Sequence, residues 1–176
     1  GAVGGEKALA AVRAGLGDSN AEVRDAAVRA LSEWPDSAAA PDLLQIVRSA
    51  SGSQREVAFR GYVRLARESG AAAPEKLKSL SEAAGVAANP QEKMLVLAGL
   101  GDILTVESLR LVTPHLSDPA VADEAGAAAV KIAEKLDAKE SADIGKALNQ
   151  VLKSAKSAQV LDKARKRMEQ LNLTIE

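Results

Sequence analysis

The 176 residues contain no cysteine and only one residue each of histidine, tryptophan, tyrosine and phenylalanine. Without cysteine the chain can form neither a disulfide nor a thiolate metal site, and its redox compartment stays open. With aromatics at 2%, a core must be built from Leu, Val, Ile and Ala. No stretch approaches the roughly 20 apolar residues that cross a bilayer as a helix. Neither sign of charge dominates: 23 basic against 24 acidic residues give a formal net charge of -1. Nothing global therefore draws the chain towards nucleic acid or anionic lipid. Strand signals are also missing, since no window alternates apolar with polar residues and no β-branched or aromatic cluster stands between turns.

What is present is the composition of a soluble folded protein, 47% hydrophobic and 27% charged, too apolar for disorder. Alanine, the best helix former, is abundant and allows close helix contact. The chain opens "GAVGGEK", with neither a methionine start nor a signal-peptide pattern, and so reads as a piece of a longer protein.

Apolar residues at helical spacing, broken by short polar turns, predict ten helices: 6–16, 20–34, 40–50, 53–69, 74–87, 91–104, 106–116, 120–136, 141–155 and 158–171. They fall into five pairs, about 6–34, 40–69, 74–104, 106–136 and 141–171, of one domain. The second helix of each pair follows a polar turn: "GDSNAEVR", "SGSQREVA", "ANPQEKM", "SDPAVAD" and "AKSAQVLD". The first apolar residue after each turn is Val23, Val57, Met94, Val121 and Val160, at separations of 34, 37, 27 and 39. Four positions later stands a small residue, Ala27, Gly61, Ala98, Ala125 or Ala164, as close stacking of neighbouring helices requires. This predicts an all-α, right-handed solenoid of about five antiparallel pairs, first helices on the convex face and second helices on the concave face.

The polar turn with Asp, followed by Val-Arg and then Ala and Leu, in "DSNAEVRDAAVRAL" and more loosely in "SQREVAFRGYVRLA", resembles the second helix of a HEAT repeat of the armadillo-like class. The resemblance implies an Asp–Arg ladder between neighbouring repeats, with Asp18 and Arg24 at the matching positions. Ala58, Leu95, Ala122 and Leu161 replace the arginine further on. "FRGYVRLA", "PQEKMLVLAGLGDI" and "VESLRLVTPHLSDPAVADEAGAAAVKIA" are similar to HEAT-like segments of large multidomain bacterial proteins. Such segments are often joined to a β-rich domain of sugar-hydrolase type.

Catalytic chemistry finds little footing. A triad needs a base, an orienting partner and an activated nucleophile, and His115 in "VTPHLSD" reads as a helix-end residue. One histidine cannot supply the paired His–Glu motifs of iron-binding helical-repeat enzymes. Glu22/Asp25 and Asp123/Glu124 read as solvated helix faces rather than a calcium loop. "GLGD" at 15–18 and 99–102 follows no strand, so Gly99 and Gly101 are expected to serve helix contact rather than a phosphate cradle. The basic run "KARKR" (163–167) carries no stacking aromatic and reads as an end cap whose charges complement the helix dipole. "NLT" (172–174) has the form of a glycosylation sequon but lies three residues from the end of the chain. The apolar start suits a chain in which further repeats come first.

No catalytic, cofactor or metal-binding residue is therefore expected. The expected function is a non-catalytic protein-interaction scaffold, holding a protein partner or an adjacent domain of the same polypeptide on the concave face. Trp34 is expected to cover the gap between pairs. Phe59 and Tyr62, flanked by Arg55, Arg60, Arg64 and Arg67, have the composition of an interaction hot spot, and Arg24, Arg60, Tyr62 and Arg64 are the candidate contacts. The alternative, nucleic-acid binding, requires a continuous basic stripe, which residues 1–70 lack. Neither membrane insertion nor a small-molecule ligand is expected.

Overall fold

A computed structural model describes residues 5–176, so the apolar start at residues 1–4 lies outside the described residues. Ten α-helices follow one another: α1 (Glu6–Gly15), α2 (Ala21–Ser32), α3 (Ala40–Ser49), α4 (Gly52–Glu68), α5 (Ala73–Val86), α6 (Pro90–Gly101), α7 (Val106–Val112), α8 (Ala122–Ala133), α9 (Ser141–Ser154) and α10 (Ala158–Gln170). No strand occurs among the described residues. The fold is all-α, of solenoid type.

Helix starts follow the side chains at their caps. Asn20 Oδ1 accepts from the Glu22 amide at 2.9 Å, and Thr105 Oγ1 accepts from Ser108 at 3.2 Å. At α6 the cap is reciprocal: Asn89 Oδ1 accepts from the Glu92 amide at 2.9 Å, and the Glu92 carboxylate accepts from the Ala88 amide at 2.7 Å. This box explains why Glu92 is buried, at 5% exposure. One helix departs from the sequence pattern. The span 106–116 is α7 followed by a 3-10 turn, Thr113–Ser117, because Pro114 has no amide to donate and its ring crowds the preceding turn.

The chain divides into two compact units, Gly1–Val86 and Ala87–Glu176. The division falls between α5 and α6, the two helices of the third pair in the sequence pattern. In the first unit α4 is central, packing on α2, α3 and α5. It buries Ala58, Phe59, Tyr62, Val63, Leu65 and Ala66. In the second unit α8 is central, packing on α6, α7, α9 and α10, and its Ala125, Ala129, Ile132 and Ala133 are fully buried.

The small residue of each repeat is buried in α2, α4, α8 and α10, at Ala27, Gly61, Ala125 and Ala164, and half-buried at Ala98. The bulky residue before it is less regular. Val121 and Val160 are buried, whereas Val23 and Met94 are among the exposed large apolar side chains. In α6 the buried face is Val96, Leu97 and Leu100 instead. Close approach is sharpest at Gly61, where a Cβ would stand 2.6 Å from both Cα and Cβ of Ser32. Gly15 and Gly101, from the two "GLGD" copies, have Ala27 and Ala128 Cβ at 3.2 Å from the same position. Both glycines therefore serve helix contact.

Candidate protein-interaction surface

Successive second helices are joined by two side-chain links that recur at the same sequence offsets. Seven residues after Val57, Arg64 donates to the Ser32 carbonyl at 2.9 and 3.2 Å and to the Trp34 carbonyl at 2.7 Å. Seven residues after Val160, Arg167 donates to Ala133 O at 2.9 Å and Leu136 O at 2.7 Å. Each guanidinium thus covers the carbonyl-rich end of the preceding second helix, where orphan acceptors and the helix dipole favour a cation.

The second link runs from the start of the earlier helix. Asp25, two residues after Val23, accepts from Gln54 Nε2 at 2.5 Å. Asp123, two residues after Val121, accepts from the Lys156 and Ser157 amides at 2.6 and 2.8 Å. Those two amides hold the Asp123 carboxyl below the usual carboxylate range. Asp25 and Asp123 are therefore joints between pairs rather than solvated faces.

First helices are joined too. Arg13 clasps Asp42 through Nε at 3.0 Å and Nη2 at 2.8 Å. Arg110 does the same to Asp143 at 2.9 and 2.8 Å. Forked arginine–carboxylate pairs of this geometry are the strong form of an ion pair. The expected ladder of Asp18 and Arg24 is not among these links. Arg24 donates to the carbonyls of its own turn, Asp18 at 2.7 Å and Ser19 at 2.8 Å, while Asp18 Oδ1 accepts from the Asn20 amide. With both groups spent on closing the turn, neither spans to the next pair.

The four candidate contacts do not share one patch. Tyr62 is a core residue, 3% exposed, and donates its hydroxyl to Glu82 Oε2 at 2.9 Å. It packs inward because it lies on the same face of α4 as Phe59 and Ala66, so it is closed to a partner. Arg64 is half-buried in its link, and Arg24 half-buried in its turn, at opposite ends of the paired helices. Arg60 is exposed. Trp34 is buried as expected, and Phe59 lies in the core under the Arg55 guanidinium, 5.9 Å from the ring centroid.

Residues 1–61 match the family model described as HEAT repeats. The match covers 61 of the 176 residues. No curated protein and no solved structure matched the chain significantly. The HEAT match includes the Asp25–Gln54 link but ends before Arg64, and the same Arg and Asp links recur at α8 and α10, outside the matched residues. HEAT repeats generally mediate protein–protein interaction or scaffolding. Among the described residues no three His, Asp or Glu side chains gather so as to hold a metal ion, and no helix is long and apolar enough to cross a membrane. His115 stands in the 3-10 turn after α7. Its pKa is lowered, first by burial and then by Lys93, with Asp118 opposing.

Burial, and then the Glu82 carboxylate that accepts its hydroxyl, push the Tyr62 phenol up to about 12. Because the folded value is the higher one, the stability this residue contributes is intact below the ordinary tyrosine value of about 10. It is lost as pH rises from there through the folded value. Tyr62 is the only tyrosine, so tyrosinate absorbance reads it alone. A midpoint near 12 in the folded protein and near 10 in denaturant is expected; coincident midpoints would contradict the buried hydroxyl.

Proposed function

We propose that the chain is a non-catalytic protein-interaction scaffold that holds a partner protein, or a neighbouring domain of its own polypeptide, on the outward flank of α2 and α4. The observation that carries this reading is the outward row of α4. Ser53, Glu56, Arg60 and Arg67 recur at helical spacing and stay exposed, while Ala58, Phe59, Gly61, Tyr62 and Val63 are buried. Beside it α2 offers exposed Val23, Ala26 and Arg29. Exposed apolar side chains beside exposed arginines are a composition found where binding energy concentrates.

A photo-crosslinking residue at position 60 is expected to give a discrete protein adduct in the native host. The same residue at Lys139, exposed within the 3-10 turn Ala138–Glu140 before α9, is expected to give none. Equal labelling from both positions would sink the proposal. A low-salt gel shift with duplex DNA is expected to show no binding. A shift that weakens steeply with salt would replace the scaffold by a phosphate-binding role.

A further inference from the structure

The segment after α10 folds back along α9. Asn172 takes the left-handed conformation, φ 53°. Its amide donates to Glu169 O at 3.0 Å, and the Leu173 amide donates to Met168 O at 2.9 Å. These are the two bonds of a Schellman turn, which reverses the chain at a helix end. Leu173 then lies over Gly145, its methyls 3.6 and 3.9 Å from where a Cβ would be.

One side chain of α9 holds the segment by its backbone. Asn149 Nδ2 donates to the Thr174 carbonyl at 3.2 Å, and Asn149 Oδ1 accepts from the Glu176 amide at 2.9 Å. The carboxamide therefore does what a neighbouring strand does, pairing with a carbonyl and with the amide two residues on. Asn149 is 8% exposed and one of three buried polar side chains among the described residues. Of the other two, Glu92 belongs to the α6 cap and Ser108 donates to Leu100 O. Around the segment remains an open groove of about 610 Å³. From α9 it is lined by Gly145, Lys146, Asn149, Gln150 and Lys153, and its single lining carboxylate is that of Glu176.

We propose that this groove is a docking site for an extended acidic peptide of a partner protein, read through its backbone by Asn149, with residues 173–176 as an internal stand-in. The fitting pattern is an aliphatic residue over Gly145, as Leu173 is, and, three residues on, an acidic residue in the lining that holds Lys146 and Lys153. The inference rests on the scaffold reading but uses a different surface, on α9 rather than on α2 and α4.

The test keeps the chain at full length and frees the groove by Leu173→Gly, Ile175→Gly and Glu176→Pro together, which removes the leucine over Gly145 and the amide from which Asn149 accepts. The probe is a fluorescein-labelled peptide, Asn-Leu-Thr-Ile-Glu. The freed chain is expected to bind it at least about tenfold more tightly than the intact chain. Asn149→Ala in the freed chain is expected to lose about tenfold, as does a peptide with lysine for glutamate, on the scale of one or two hydrogen bonds. Circular dichroism and melting of each variant separate lost binding from lost folding. Arg60→Glu is expected to leave peptide binding unchanged, so failure on α4 and failure on α9 are distinguishable. No binding by a folded, freed chain overturns the proposal, as does binding indifferent to Asn149→Ala. Dimers of the intact chain that vanish in the freed chain would also overturn it, because a second copy would then be the occupant.

Discussion

Gly61→Ala is expected to destabilise the first unit by about 2 kcal/mol, although alanine is the better helix former by about 1 kcal/mol. The added methyl would stand 2.6 Å from Ser32 Cα, and a backbone atom cannot rotate aside. Either α4 lifts from α2 or both helices bend, and overpacking of this kind costs about 1–3 kcal/mol, occasionally more. Lifting α4 would also stretch the Arg64 bonds to Ser32 and Trp34. Gly85→Ala is the control. It lies in α5 with nothing within 4 Å of the added atom, so the same exchange there is expected to be neutral or to stabilise by up to about 1 kcal/mol. Urea unfolding of the two variants measures both signs. A Gly61→Ala chain as stable as the original would mean that α2 and α4 do not approach so closely.

Phe59→Ala is expected to have the larger effect, about 3–5 kcal/mol, the usual loss for emptying a buried phenylalanine site. The ring is fully buried at the centre of the unit, and the exchange also removes the surface on which the Arg55 guanidinium rests. A domain's whole stability is about 5–15 kcal/mol, so the variant stands near the edge of unfolding. Trp34, the only tryptophan, is buried in the same unit at 3% exposure. A fall in the urea midpoint, followed by the red shift of its emission as it meets water, checks the prediction. A loss under about 1 kcal/mol would show that the ring is not part of the core.

Much of the fold was legible because the signals are local. Asn20, Asn89 and Thr105 stand just before the helices they cap, and an accepting side chain within three residues can be read along the chain. The break after α7 was equally local, since Pro114 was there to be read. The joints between pairs are of another kind. Arg64 and Arg167 look like surface arginines because their acceptors are backbone carbonyls some thirty residues earlier, which no side-chain pattern announces. Asp123 looks solvated for the same reason, its donors being the amides of Lys156 and Ser157.

Tyr62 was hidden by its neighbours. Arg55, Arg60, Arg64 and Arg67 surround it in sequence and suggest a surface, yet Arg60, Arg64 and Arg67 lie off the face of the rings and Arg55 covers Phe59. Asn149 carried no sequence signal at all. Its partners, Thr174 and Glu176, become adjacent only because Asn172 turns the chain.

The pair-to-pair joints made by Arg64, Arg167 and Asp123 share a property with evolutionary reach. Each recruits only peptide groups from its neighbour, and every residue supplies those alike. A unit bearing such a side chain could be duplicated, or spliced behind an unrelated one, without a matching change on the other side. Drift in one repeat then leaves the next attached, which suits a chain whose repeats differ so widely in length and wording.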